Sequence, residues 1–109
     1  MAVLRILFTR LRTEEKLLKE AAERLGIPCE LQLVSDTVFG GEPFCPQDDV
    51  VLARCVSHNQ NEAVAQMLET QGIRVVNPSR VMGICGNKLT TSAVLEQAGI
   101  PQPKYLVAF

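Results

Sequence analysis

Six polar residues, Arg10, Arg54, Ser57, Asn77, Asn87 and Lys88, stand at the ends of apolar runs or at the start of a helix, where side chains can meet a ligand. The two arginines and their polar neighbours suit an anion, since a guanidinium can clamp a carboxylate through two parallel hydrogen bonds. Lys88 suits a phosphate. It follows Gly86, which tolerates backbone shapes other residues avoid, and Asn87, a good helix N-cap. A cation in the first turn opposes the positive end of the helix dipole, a small cost that an adjacent anion removes. Surface arginines and an ordinary helix entry use the same residue types, so spacing alone leaves both readings open.

No catalytic group emerges beside these binding groups. His58 is the only histidine, and its neighbour Ser57 is not aligned with it merely by adjacency, so His58 reads as a polar loop residue. The turn Thr9-Arg10-Leu11-Arg12 has no glycine, which excludes a dinucleotide fingerprint or a P-loop there. Cys29, Cys45, Cys55 and Cys85 lack the close spacing of a zinc site or a redox dithiol, and free thiols in a reducing cytosol are expected. No metal ligands are assigned.

The elements that must position these residues alternate between strand and helix. Ala2–Phe8 is a nearly continuous apolar run, as in a central strand covered on both faces. Thr13 is expected to cap a helix whose Leu17, Leu18, Ala21, Ala22 and Leu25 form one stripe, with Glu15–Lys19 and Glu20–Arg24 pairs in solvent. Gly26 ends it before a second strand, Glu30–Val34. Ser35–Asp49, with Gly40-Gly41, Pro43 and Pro46, breaks the pattern, and is either a binding lip or a plain surface excursion.

A third strand, Asp49–Ala53, delivers the polar cluster Arg54–Asn61. A helix burying Ala63, Val64, Met67 and Leu68 then ends at Gly72 before a fourth strand, Ile73–Val76. Pro78 or Ser79 opens a short helical segment to Cys85, the Lys88 helix runs to Gly99, and Tyr105–Phe109 begins as a strand. Leu25-Gly26-Ile27-Pro28, Gln71-Gly72-Ile73-Arg74 and Ala98-Gly99-Ile100-Pro101 mark a recurring helix exit. The expected fold is α/β: a small open parallel sheet of about four strands with helices on both faces, its ligand edge beyond the strands' carboxyl ends.

At 109 residues the chain is one domain at most, with 47% apolar and 21% charged residues. A net charge of -1, with both signs scattered, supplies no basic face for nucleic acid or an anionic membrane. The apolar start is too short for a membrane span and lacks a leader's charge and cleavage pattern, so a cytoplasmic location is expected.

In order along the chain, Ala53-Arg54-Cys55-Val56-Ser57, Arg74-Val75-Val76-Asn77, Cys85-Gly86-Asn87-Lys88-Leu89-Thr90-Thr91-Ser92 and Ala98-Gly99-Ile100-Pro101-Gln102-Pro103-Lys104 resemble the amino-terminal, Rossmann-like pre-ATP-grasp part of the ATP-grasp ligases. The likeness is to the LysX type of lysine biosynthesis and its ArgX relatives of the arginine pathway, with RimK-type glutamate ligases further off. It implies an enzyme that uses ATP and Mg2+ to activate a carboxylate as an acyl phosphate, which an amine then displaces. The implied partners are an amino-acid substrate, α-aminoadipate or glutamate, and a small acidic carrier protein whose terminal Glu is the carboxylate.

The same resemblance assigns Lys88, with Asn87, to the ATP phosphates, and places Arg54, Ser57, Asn77 and Arg10 on the substrate side. Asn87 stands where the family is expected to have Asp. The glycine-rich lid and the magnesium ligands belong to a later part of such ligases. Residues 1–101 are therefore expected to form the pre-ATP-grasp domain and 102–109 the start of a linker or first strand of a further domain, without ligation by this chain alone. A free-standing flavodoxin-like binding module is the other reading, and a homo-oligomer is left open.

Overall fold

The computed structural model describes residues 1–109. Four parallel strands, β1 (Leu4–Phe8), β2 (Cys29–Leu33), β3 (Val50–Arg54) and β4 (Arg74–Val76), form one sheet in the order β2-β1-β3-β4. In register, Ile6 faces Leu31 and Leu52, and Val51 faces Val75. Successive side chains on a strand point to opposite faces. One face therefore carries Leu7, Val51 and Val75, the other Ile6, Leu31 and Leu52.

The first face holds the main core. Leu7, Val51 and Val75 pack with Ala65 and Leu68 of helix α2 (His58–Thr70) and with Met82 of α3 (Ser79–Cys85). Leu7, Val51, Ala65 and Leu68 are fully buried, and truncating such a leucine to alanine costs about 2–5 kcal/mol. The opposite face is covered by α1 (Thr13–Arg24), which lies over β1 and β2. Its apolar stripe is narrower than the periodicity predicts, since Leu17 and Leu25 are exposed and only Ala22 and Glu15 are buried. A helix that covers only half of a sheet face leaves the flanks of its stripe in water.

All three expected helix exits form the same cap. Gly26, Gly72 and Gly99 have φ of 69°, 76° and 71°. Each glycine N–H reaches back three residues, and the next residue's N–H five, as in Ile27 to the Ala22 carbonyl at 2.9 Å, Ile73 to Leu68 at 3.1 Å and Ile100 to Leu95 at 3.0 Å. This Schellman arrangement needs a positive φ that glycine adopts without a Cβ penalty.

The segment Ser35–Asp49 is more than a plain surface excursion. After a single 3-10 turn, Val34–Asp36, it crosses the α2 face of the sheet to reach the start of β3. Val34 and Cys45 are buried in the main core, and Phe39 and Phe44 pack against it, with their ring centroids 5.5 Å apart. Phe44 N–H donates to Gln71 Oε1 at 2.9 Å, at the far end of α2. The segment thus does the covering work of a crossover helix. Asp49 closes it, accepting from Val3 N–H at 2.9 Å and from Arg5 Nε at 2.7 Å.

Helix α4 (Lys88–Gln97) has no buried residue. Beyond it, 101–109 contains no helix or strand, because Tyr105–Phe109 has no strand to pair with. It folds back on α4 instead, with Gln102 Nε2 donating to Ser92 O at 2.7 Å and Tyr105 Oη donating to Glu96 at 2.9 Å.

Candidate functional site

The carboxyl edge of the sheet is built around a buried carboxylate that the helical pattern places in solvent. Glu15 is 0% exposed. It pairs not with Lys19 but with Arg12, whose Nη2 lies 2.6 Å from Oε1, and with Arg54, whose Nε lies 3.4 Å from the same oxygen. Its Oε2 also accepts from Arg12 N–H at 3.1 Å, so Arg12, rather than Thr13, precedes α1 as its capping residue. The hydrogen-bonded Arg12 guanidinium holds the Glu15 carboxyl at about 2, against its ordinary 4.5. Lys19 turns to Glu23 at 3.5 Å and to the Cys29 carbonyl, and Glu20 and Arg24 form no ion pair. Arg12-x-x-Glu15 has the spacing of a capping box, the local signal for the missed carboxylate.

Arg54 is the last residue of β3 and shares a face with Ile6 and Leu52. Its Nε is buried without a hydrogen bond while the side chain as a whole is 37% exposed. One carboxylate between two arginines leaves a net positive charge at this edge. Ser57 follows, and its hydroxyl oxygen accepts from Gln60 N–H at 3.3 Å as the N-cap of α2. His58 is consequently the first residue of that helix and not a loop residue.

Asn61 completes the turn. Its Oδ1 accepts from Cys55 N–H at 2.9 Å, and its Nδ2 donates to Ala53 O at 3.3 Å. These bonds satisfy the backbone that runs beyond β3, while Thr9 Oγ1 accepts from Val56 N–H at 3.0 Å and ties the end of β1 to the same turn. Arg10 follows β1 and Asn77 follows β4; both are exposed, with no hydrogen bond or ion pair to another side chain.

Asn87 caps α4, its Oδ1 accepting from Leu89 N–H at 3.0 Å and Thr90 N–H at 3.1 Å. Lys88 is the first residue of the helix, exposed and unpaired. Gly86 differs from expectation, with φ −77° and ψ −15°, a backbone open to any residue. The glycine there leaves room instead: the half-exposed His58 ring occupies the position a Cβ would take. That contact sets Gly86, at the joint between α3 and α4, against the first residue of α2.

This arrangement can hold one anionic oxygen at Lys88 and another at the arginine edge. Two first-turn N–H groups of α4 are already used by Asn87, so this helix start offers an anion the Lys88 ammonium rather than a full backbone cradle. No group of three His, Cys, Asp or Glu side chains is placed to hold a metal ion. The thiols of Cys45 and Cys55 are pushed up by burial, away from thiolate chemistry. No helix is long and apolar enough to cross a membrane.

Comparison with known proteins agrees with this architecture. The chain is 32% identical over 100 residues to the α-aminoadipate–LysW ligase LysX of Saccharolobus solfataricus, covering 90% of this chain and 36% of that one. It is 28% identical over 97 residues to the glutamate–LysW ligase ArgX of Sulfolobus acidocaldarius, covering 89% and 34%. The chain thus spans about a third of the length of these relatives. The crystal structure of a RimK domain protein ATP-grasp from Sphaerobacter thermophilus superposes with a TM-score of 0.70 at 25% identity, over 94% of this chain and 39% of that one. Residues 4–84, from β1 to the end of α3, match the model of the LysX preATP-grasp domain, and the chain belongs to that family.

Proposed function

We propose that this chain is the amino-terminal domain of an ATP-dependent carboxylate–amine ligase that joins α-aminoadipate or glutamate to the C-terminal Glu of a small acidic carrier protein in the cytoplasm. The observation that supports this reading is a LysX preATP-grasp scaffold that carries both a cationic arginine edge and an unpaired lysine at the start of α4. ATP, when bound, supplies the phosphoryl group that turns the carboxylate into an acyl phosphate open to attack by the amine. In this proposal Lys88 contacts a nucleotide phosphate and Asn87 holds its helix start. Arg54, with Arg10, Ser57 and Asn77 on the same edge, meets the carboxylate of the amino acid. Glu15 keeps Arg54 aimed at that edge.

Residues 1–101 serve as the pre-ATP-grasp domain, and 102–109 lead into a further domain. The magnesium ligands and the remaining phosphate contacts come from the part of a relative-length protein that this chain does not span, so the 109-residue chain is expected not to ligate alone. The test is ADP release by the native gene product with α-aminoadipate or glutamate, with and without a carrier ending in Glu. ADP release dependent on both, with KM for ATP raised about tenfold by Lys88→Ala, the loss of one charged contact, supports the reading. A product that releases no ADP with either amino acid is a non-catalytic binding module.

A further inference from the structure

We propose that His58, seated against Gly86 and flanked by Glu62, is a positioning residue that fixes the start of α4, and with it Lys88, against the start of α2. The functional meaning of this device rests on the phosphate contact proposed for Lys88. Its geometry does not. Gly83 and Gly86 lie three residues apart, on one side of the α3 turn. A Cβ added at Gly86 would stand 2.0, 2.4 and 2.7 Å from Cε1, Nε2 and Nδ1 of His58, and one at Gly83 would stand 3.0 Å from Glu62 Oε1. His58 and Glu62 are themselves one turn apart on α2, with Nε2 and Oε2 separated by 3.3 Å. Two side chains of one helix thus occupy two places that the other helix leaves bare.

The contact matters because α4 is otherwise held mainly by α3 and by the segment that follows it, rather than by the sheet or α2. That helix buries no residue, and the preceding α3 has only seven residues, too few to set a direction by themselves. Thr91 Oγ1 donates to Ile84 O at 2.6 Å and ties α4 to α3. His58 instead ties the joint between α3 and α4 to α2, one residue after the Ser57 cap and four after Arg54. It therefore sets the separation between the arginine edge and Lys88. A one-turn slip would move Lys88 by about 5 Å along its helix, beyond the reach of a hydrogen bond.

The experiment is amide hydrogen exchange, read by NMR on the 109-residue chain, at Leu89 and Thr90, with Ile6 and Leu7 reporting global opening. His58→Ala is expected to speed exchange at Leu89 and Thr90 about tenfold and to leave Ile6 and Leu7 within about twofold. His58→Gln, which keeps a planar polar group beside Glu62, restores protection. Gly86→Ala has the same local effect as His58→Ala, and the double variant is no worse than either, because the methyl group enters space the ring has left. Unchanged exchange in His58→Ala, or acceleration spread equally to Ile6 and Leu7, overturns the proposal. Titration with tripolyphosphate separates it from the reading it rests on. Binding lost in Lys88→Ala and weakened about fivefold in His58→Ala supports both; binding lost in Lys88→Ala and unchanged in His58→Ala overturns the positioning role alone. A chain that binds no tripolyphosphate, with local exchange still governed by His58, keeps the positioning role and removes the phosphate reading.

Discussion

Replacing Glu15 with Gln removes one negative charge from between Arg12 and Arg54 while keeping the shape of the side chain. The folded carboxyl sits at about 2 and the unfolded one near 4.5, and each unit of difference is worth about 1.4 kcal/mol, an upper limit of about 3 kcal/mol. Both arginine side chains are about a third exposed, at 35% and 37%, so water recovers part of the loss and about 2 kcal/mol is expected at pH 7. Because the folded value is the lower one, the contribution is fully present above the unfolded value. It falls away as pH drops toward 2, with more than half gone by about pH 3. The assay is urea unfolding of the chain and of Glu15→Gln by circular dichroism at pH 7 and pH 3. The difference between the two proteins should shrink by more than half at the lower pH, and at pH 7 the variant should melt about 8 °C lower. A difference of equal size at both pH values would refute the ion-pair account and leave a packing effect.

Asn61→Ala strands the N–H of Cys55 and a carbonyl of Ala53 at the turn after β3, and should cost about 2 kcal/mol in urea unfolding; a loss below about 0.5 kcal/mol would show that water replaces the amide. Asn87→Ala removes the acceptor for two N–H groups and should cost about 1 kcal/mol, whereas Asn87→Asp keeps the cap and favours the helix dipole, so it should unfold at equal or higher urea. Gly72→Ala meets both a φ of 76° and Gln47 Nε2 at 2.9 Å. It should lower stability by about 1–2 kcal/mol, and a neutral result would mean that the Schellman turn relaxes. Cys85, which is exposed, should react with a thiol reagent in the folded chain, while Cys45 and Cys55 react at the rate of unfolding; mass spectrometry of the labelled protein distinguishes them.

The sheet was legible because its determinants are local. The apolar run through Ile6 and Leu7 reads as a strand buried on both sides, and each Leu/Gln/Ala-Gly-Ile exit specifies a cap whose bonds lie within five residues. Asn87 was legible as a helix N-cap for the same reason, acting on backbone N–H groups no more than three residues away, whereas Ser57 reads in sequence only as a polar residue beyond a strand and its cap of α2 does not. Glu15 was not: its partner Arg54 comes from another element, and the helical pattern assigned it to solvent with Lys19. The crossover from Ser35 to Asp49 was missed because glycine and proline exclude regular structure without saying that Phe39, Phe44 and Cys45 can cover a sheet in place of a helix.

Gly86 shows why a correct residue can be given the wrong cause. In sequence, a glycine before an Asn cap suggests a backbone that only glycine can adopt, yet its φ is that of an ordinary helical residue. The space beside it is taken by His58, on another helix, and neither residue alone signals that contact. The positioning role proposed for His58 bears on how the two parts of the candidate site are held. Arg54 and Ser57 are fixed by the end of β3 and by Glu15, whereas Lys88 belongs to a helix with no buried residue. The proposed function, which brings a carboxylate and a phosphate together, needs those two supports to keep a fixed separation. In this fold the joint between α3 and α4 meets α2 through an imidazole filling the place of a missing Cβ, and the proposed positioning makes the geometry of the site depend on a contact between residues that meet neither anion.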